Sequence, residues 1–232
     1  MYNILVCDDD KEIVEAIAIY LETAGYKVYK AGNGEEAVKL VESEEIHLVL
    51  IDIMMPVMDG IRATRLIREK SSVPVIILTA KSEDADKILG LDIGADDYVT
   101  KPFSPLELMA RVRSQIRRYT RLGAMEEPAG DDLIVNGGLV INDTAKQVTV
   151  DGDDIKLTPI EYDILLYLSK NPGRVFTTSQ IYEAVWNEEA YGAENVIAVH
   201  IRHIREKIEI NPGDPRYLKV VWGQGYKIEK QK

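Results

Sequence analysis

The sequence predicts an α/β domain built on a five-stranded, doubly wound parallel sheet, followed by a smaller α+β domain. Three observations lead there. Through the first half of the chain, short apolar runs alternate with amphipathic stretches, the pattern of parallel strands covered by helices on both faces. Around Arg121 to Gly130 the apolar period stops, and Gly, Pro and acidic residues gather as they do in linkers. Beyond that stretch, short alternating strands precede helices and a closing hairpin. The expected organisation is a first domain over 1–121, a linker over 122–131 and a second domain over 132–232.

The strands of the first domain are read at Tyr2 to Cys7, Tyr26 to Ala31, His47 to Asp52, Val73 to Thr79 and Asp97 to Thr100. Helical patterns fill Lys11 to Thr23, Glu35 to Glu44, Ile61 to Lys70, Asp84 to Ile93 and Pro105 to Tyr119; Ile13, Ile17, Tyr20 and Leu21 share one face of the first. In the second domain the strands are Leu133 to Val135, Leu139 to Asn142, Gln147 to Val150 and Asp154 to Leu157. A helix then starts at Thr158, which can cap it, with Pro159 in the first turn and Glu161 completing a capping box. Further helices span Thr178 to Trp186 and Asn195 to Glu209, and Tyr217 to Ile228 forms a hairpin.

Composition narrows the function classes. With 232 residues the chain can bury two cores, and 46% hydrophobic with 29% charged residues describes folded domains. No apolar run reaches membrane-spanning length, and Met1 leads straight into a strand without a basic n-region, so a soluble cytoplasmic protein that does not engage membranes is expected. The single cysteine, Cys7, excludes an intrachain disulfide and reads as a core residue. The net charge of −11 argues against indiscriminate nucleic-acid coating. Residues 1–130 carry 16 basic against 23 acidic side chains (net −7), and residues 131–232 carry 12 against 16 (net −4). Any DNA site must therefore be confined to one element.

Carboxylates end two strands: Asp8-Asp9-Asp10 follows the first, and Asp52 ends the third. In a doubly wound sheet of order 2-1-3-4-5, ligands bind where the strand order reverses, between strands 1 and 3, so these acids can converge. Carboxylates held close repel one another unless a cation joins them, and oxygen donors without imidazole or thiolate suit magnesium. Thr79, followed by Ala80, and Lys101, followed by Pro102, end the fourth and fifth strands. A hydroxyl and an ammonium can hold the nonbridging oxygens of a phosphoryl group. Taken singly each is an ordinary strand-end residue; together they form a phosphoryl-transfer site.

The runs Ile4-Leu-Val-Cys-Asp-Asp-Asp10, Leu50-Ile-Asp-Ile-Met-Met-Pro-Val-Met-Asp-Gly60, Ile77-Leu-Thr-Ala80 and Gly94-Ala-Asp-Asp-Tyr-Val-Thr-Lys-Pro-Phe103 resemble the receiver domains of response regulators. The resemblance implies that Asp52 accepts a phosphoryl group from a phosphohistidine of a sensor histidine kinase. It implies that Asp9 and Asp52 bind magnesium directly, Asp8 through water, and Met54 through its backbone carbonyl. By the same resemblance Lys101 is expected to pair with the phosphate, next to a cis Lys101-Pro102 bond, and Thr79 with Tyr98 to form the switch pair. On the face of the fourth helix, fifth strand and fifth helix, the resemblance implies Lys87 with Glu107, Asp97 with Arg111 and Asp96 with Arg118 as the cross-subunit pairs of a homodimer formed on phosphorylation.

The second domain resembles the winged helix-turn-helix output domain of the OmpR/PhoB family, most specifically in Val199-His-Ile-Arg-His-Ile-Arg205 and Gly223-Gln-Gly-Tyr226. The expected duplex-binding residues are Asn195, His200, Arg202, His203, Arg205 and Lys207 on the third helix, with Val196, Val199, Ile204 and Ile208 facing the core, and Trp222 in the wing. Promoter DNA and RNA polymerase are the implied partners. The family commonly has arginine where this wing has Trp222, often arginine at His203, and often an acid at Ala198. Trp222, the third helix and Lys227-Ile-Glu-Lys230 resemble VanR-type regulators of vancomycin-resistance genes, a resemblance that points to resistance or cell-wall genes as targets. A competing reading is a haloacid dehalogenase-type phosphohydrolase built on Asp8 and Asp10, which leaves Asp52 and the second domain unexplained. A regulator that binds DNA without phosphorylation would keep the fold and leave the acidic set without a use.

Overall fold

The computed structural model describes residues 1–80, 94–123, 133–187 and 194–231. The chain divides into two compact units, Met1–Tyr119 and Thr120–Lys232. The expected helix over Asp84 to Ile93 lies outside the described residues, as does 124–131 of the expected linker.

The first unit runs β1 (Asn3–Cys7), α1 (Lys11–Thr23), β2 (Lys27–Ala31), α2 (Gly34–Ser43), β3 (Leu48–Asp52), α3 (Gly60–Lys70), β4 (Val75–Ala80), β5 (Asp97–Lys101) and α4 (Pro105–Gly123). Its five strands are parallel in the order β2-β1-β3-β4-β5. The central strands β1 and β3 are apolar on both faces because helices cover both. Ile4, Val6, Leu48, Leu50, Ile76, Leu78 and Val99 pack with Val14, Ile17 and Leu21 of α1 and with Leu108, Val112 and Ile116 of α4. Helices α1, α2 and α3 start on polar caps: Asp10 accepts from Glu12 and Ile13 N–H, Asn33 from Glu36 N–H, and Asp59 from Arg62 N–H. Helix α4 continues to Gly123, through the first two positions expected to be linker.

The second unit opens with an antiparallel sheet, β6 (Leu133–Asn136), β7 (Leu139–Asn142), β8 (Gln147–Val150) and β9 (Asp153–Asp154). β9 is shorter than the Asp154 to Leu157 run suggested, although Ile155 N–H still reaches the Val148 carbonyl. Helices α5 (Pro159–Ser169), α6 (Thr178–Trp186) and α7 (Glu194–Ile208) follow, then the β10 (Leu218–Val221) and β11 (Gly225–Ile228) hairpin. Thr158 and Glu161 form the anticipated capping box, and Thr177 with Gln180 forms another. Ile160, Ile164, Leu165 and Leu168 of α5 and Val196, Val199, Ile204 and Ile208 of α7 are buried.

The hairpin is fastened at its base. Glu209, buried just past α7, accepts hydrogen bonds from the N–H groups of Arg216, Tyr217 and Leu218. Phe176 and Tyr226 exchange two backbone hydrogen bonds of 2.9 Å. Glycine is required at Gly225, where φ is +136° and a Cβ would stand 2.0 Å from the Phe176 carbonyl oxygen.

Candidate functional site

Parallel pairing brings the strand-end residues to one rim. β1 and β3 run in register with Cys7 opposite Ile51, so Asp8 and Asp52 leave adjacent strands side by side. On the other flank Asp52 pairs with Leu78 of β4, and Ala80 pairs with Lys101 of β5. The Lys101 ammonium donates to Asp8 Oδ2 at 2.6 Å and also to Asp52 Oδ1. The other Asp52 oxygen accepts from Met54 N–H at 2.7 Å, and the other Asp8 oxygen accepts from Asp10 N–H at 3.0 Å. Asp9 is exposed beside them. Thr79 is buried on β4, one register pair from Lys101, and Tyr98 is half-buried on β5 opposite Ile77. The Lys101–Pro102 bond is cis, as expected.

The electrostatics follow from two acids sharing one base. Burial raises the Asp52 carboxyl above the ordinary aspartate value; Lys101 pulls the other way, and Asp8 adds to the rise. Burial opposes the Lys101 charge, but its hydrogen bonds to Asp52 and Asp8 outweigh that and hold it above the usual lysine value. Among the described residues no three His, Cys, Asp or Glu side chains form a ready-made metal cluster. The donor set nevertheless fits magnesium. Two hard-oxygen carboxylates share a single monovalent cation, a third carboxylate lies exposed next to them, and a divalent ion would relieve the remaining repulsion.

The second unit revises part of the expected nucleic-acid face. His200 is 2% exposed, with its ring 5.7 Å from that of Trp186, and His203 is 8% exposed. Helical spacing explains this. His200 lies in the i, i+4 row between Val196 and Ile204, and His203 follows Val199 by four residues, so both histidines join rows whose other members are core. Arg205 turns its Nε to the Leu218 carbonyl at 2.9 Å, and Lys207 pairs with the buried Glu161. Arg202 remains on the exposed face, 3.5 Å from Glu206. Asn195 falls in the first turn of α7, and its side chain lies outside the described part of the structure. Trp222 stands at the hairpin tip, 88% exposed.

Residues 4–113 match the response regulator receiver domain, and residues 152–228 match the C-terminal domain of transcriptional regulatory proteins. Regulatory protein VanR of Enterococcus faecium is 42% identical over 229 residues, covering 98% of this chain and 99% of that one. The chain belongs to the OmpR/PhoB family of response regulators. The alkaline phosphatase synthesis transcriptional regulatory protein PhoP of Bacillus subtilis (strain 168) is likewise 42% identical, over 99% of this chain and 98% of its own. Among solved structures, the Thermotoga maritima OmpR/PhoB homologue DrrB is 36% identical, with 99% of both chains covered and a TM-score of 0.51. This response regulator is thus a two-component transcription factor rather than an enzyme, which sets aside the phosphohydrolase reading.

Within the regulator, residues expected to pair across a dimer axis are engaged inside the chain. Arg111 binds Asp97 through both carboxylate oxygens and reaches Glu107 at 3.4 Å. Asp96 is fully buried, bound by the Arg68 guanidinium and by Val75 N–H at 2.8 Å. Arg118 is buried as well. Lys87 lies outside the described residues. Nothing local in the sequence marks Arg68 as the partner of Asp96, because on α3 it has the spacing of a solvated helix charge.

Gly60, at the end of the Leu50–Gly60 run, has a role that no local pattern marks: a Cβ there would lie 2.0 Å from the Asp52 carbonyl oxygen. The start of α3 can approach β3 only without a side chain, and Gly60 N–H closes that turn on the Ile53 carbonyl. Cys7, read as core, is buried with its thiol 3.5 Å from the Met55 sulfur, which ties β1 to the same turn.

Proposed function

We propose that Asp52 is the phosphoacceptor of this regulator and that phosphotransfer from a sensor histidine kinase controls its affinity for promoter DNA. The observation that carries the reading is the Asp8–Lys101–Asp52 bridge at the strand ends. Lys101 is already placed beside the Asp52 oxygen and can follow a transferred phosphoryl group as its counter-charge. Asp8, Asp9, Asp52 and the Met54 carbonyl would hold magnesium, which neutralises the oxygens of the incoming group.

Modification replaces one shared negative charge by nearly two, and the Thr79 hydroxyl with the Tyr98 ring would respond to it. Glu107, Arg111 and Asp97 on α4 and β5 then exchange partners across a two-fold axis to form a homodimer. DNA is met by Arg202 on α7 and by Trp222 in the wing, with RNA polymerase the further partner at a promoter and the cytoplasm the compartment. Resistance or cell-wall genes are the target class implied by the VanR-type resemblance.

Borohydride trapping after treatment with a small phosphodonor and magnesium tests this reading. Label on Asp52 without turnover, with a heavier sedimenting species and a DNA footprint gained together, is expected. Label on Asp8 with turnover, or unchanged mass and DNA affinity after labelling of Asp52, would overturn it, as would undiminished regulation by Asp52→Ala.

A further inference from the structure

The cations of α7 and the β10–β11 hairpin are engaged inside the second unit. The two elements carry Arg202, Arg205 and Lys207 on the helix and Lys219 and Lys227 on the hairpin. Arg202 lies 3.5 Å from Glu206, Lys207 2.5 Å from Glu161, Lys219 3.9 Å from Asp214 and Lys227 2.7 Å from Glu229. Arg205 gives its Nε to the Leu218 carbonyl at 2.9 Å.

These pairs are of two kinds. Glu161 is buried, so turning Lys207 toward a phosphate would strand a carboxylate in the core. Glu206 and Glu229 are open to solvent, with side chains 52% and 40% exposed. Exposed pairs are weak, and Arg202 or Lys227 can leave its acid for a phosphate at small cost. The carboxylate left behind then stands beside a polyanion, and its repulsion cancels much of the attraction gained. Binding through phosphates supplies essentially all of the affinity for an arbitrary duplex, and that contribution is what the two acids reduce. With 12 basic against 16 acidic residues over 131–232, the unit has no net positive charge to replace it.

We propose that Glu206 and Glu229 are specificity-determining residues. By neutralising Arg202 and Lys227 they hold back phosphate-driven binding to duplexes of any sequence, so that occupancy is decided by contacts to the bases of the target site. A unit docked on base edges cannot shift to collect phosphates, whereas one on an arbitrary sequence can. Cations released from their acids therefore favour the wrong duplex more than the right one. This rests on the reading that α7 and the hairpin face DNA.

The test uses the full chain treated with a small phosphodonor and magnesium. It compares a duplex enriched by the unmodified protein from a random-sequence pool with an unselected duplex of the same length, over about 50 to 200 mM salt. Glu206→Gln combined with Glu229→Gln should bind the unselected duplex about tenfold more tightly at the low-salt end, half a decade for each added phosphate contact. The slope of log affinity against log salt should steepen by about 0.9 for each released cation on each bound protomer. Affinity for the enriched duplex should rise less, so the ratio of the two falls. Glu22→Gln, which makes the same charge change on the exposed face of α1, should alter neither slope nor ratio.

An unchanged slope and ratio in the double variant would overturn the proposal, as would an equal effect from Glu22→Gln, which would assign the result to net charge alone. Loss of affinity for the enriched duplex would overturn it too, by making the acids direct contacts. If Arg202→Ala abolishes binding while the double variant behaves like the unmodified protein, the proposal fails and the DNA-facing reading of α7 stands. If the unmodified protein enriches no duplex, both fail.

Discussion

Arg111 holds Asp97 of its own chain with one nitrogen, 3.0 Å from each carboxylate oxygen. Both side chains are largely buried, so the pair is screened little by solvent. The same two residues are the ones proposed to meet across a dimer axis. A dimer that uses them exchanges an internal pair for an external one instead of creating a new attraction. The driving force for association must then come from elsewhere on the β5 and α4 face. Arg111→Gln should lower stability by about 3 kcal/mol, because it strands a buried carboxylate. Asp97→Asn combined with Arg111→Gln should lie closer to the unmodified protein than the two single losses added together. Urea unfolding of the four proteins measures this coupling; additive losses would show that the pair contributes nothing as a pair.

Asp52 makes stability depend on pH in a direction opposite to most salt-bridged acids. Its carboxyl is raised in the folded state, chiefly by burial. The native state therefore holds the proton more tightly than the unfolded chain does. The associated stability is complete below the unfolded value and is lost as pH rises through the folded one. At neutral pH the ionised group works against folding. Asp52→Asn should melt at a higher temperature than the unmodified protein at pH 7 without magnesium, and the difference should shrink on acidification. A lower melting temperature for Asp52→Asn at pH 7 would contradict the assignment of burial as the dominant effect.

Gly60→Ala places a Cβ against backbone that cannot swing away, 2.0 Å from the Asp52 carbonyl oxygen. The turn after β3 must shift and take Asp52 and Met54 with it. The expected result is a folded but less stable protein, by roughly 1–3 kcal/mol, the usual range for overpacking. Phosphodonor labelling at Asp52 should fall more than stability alone accounts for. Thermal melts paired with labelling at a temperature where both proteins are folded separate the two effects.

Glu209→Ala removes the acceptor of three N–H groups at once, two of them, on Tyr217 and Leu218, buried. Unsatisfied buried donors cost about 1–3 kcal/mol each when water cannot reach them, and partial opening of the hairpin is the cheaper response. Amide exchange at Tyr217 and Leu218 should accelerate, with α5 amides unchanged. Uniform acceleration across the second unit would mean that Glu209 supports the whole core and not the hairpin alone.

The strand-end acids were legible because a parallel sheet is a one-dimensional code. Once β1, β3, β4 and β5 are recognised as apolar runs, the residue after each run is at the same rim, whatever the details of packing. Helix caps were legible for a similar reason: Thr158 and Glu161 satisfy backbone groups within one turn, so nothing distant is needed to read them. His200 and His203, expected on the basic face of α7, are instead buried, because helical position outweighs residue type there. Their i, i+4 neighbours Val196, Val199 and Ile204 already assigned both histidines to buried rows.

By itself the sequence determined the alternation of strands and helices, the acids and the lysine at the strand ends, and the tryptophan at the tip of the closing hairpin, because each depends on periodicity or on a short contiguous motif. Tertiary structure alone decided which charge meets which: Arg68 on Asp96, Arg111 on Asp97, Glu209 on the hairpin amides, and Lys101 between two carboxylates. Those choices depend on distances between residues far apart in the chain. Electrostatic pairing acts over a few ångströms, and no local pattern in the sequence records which groups folding will bring that close.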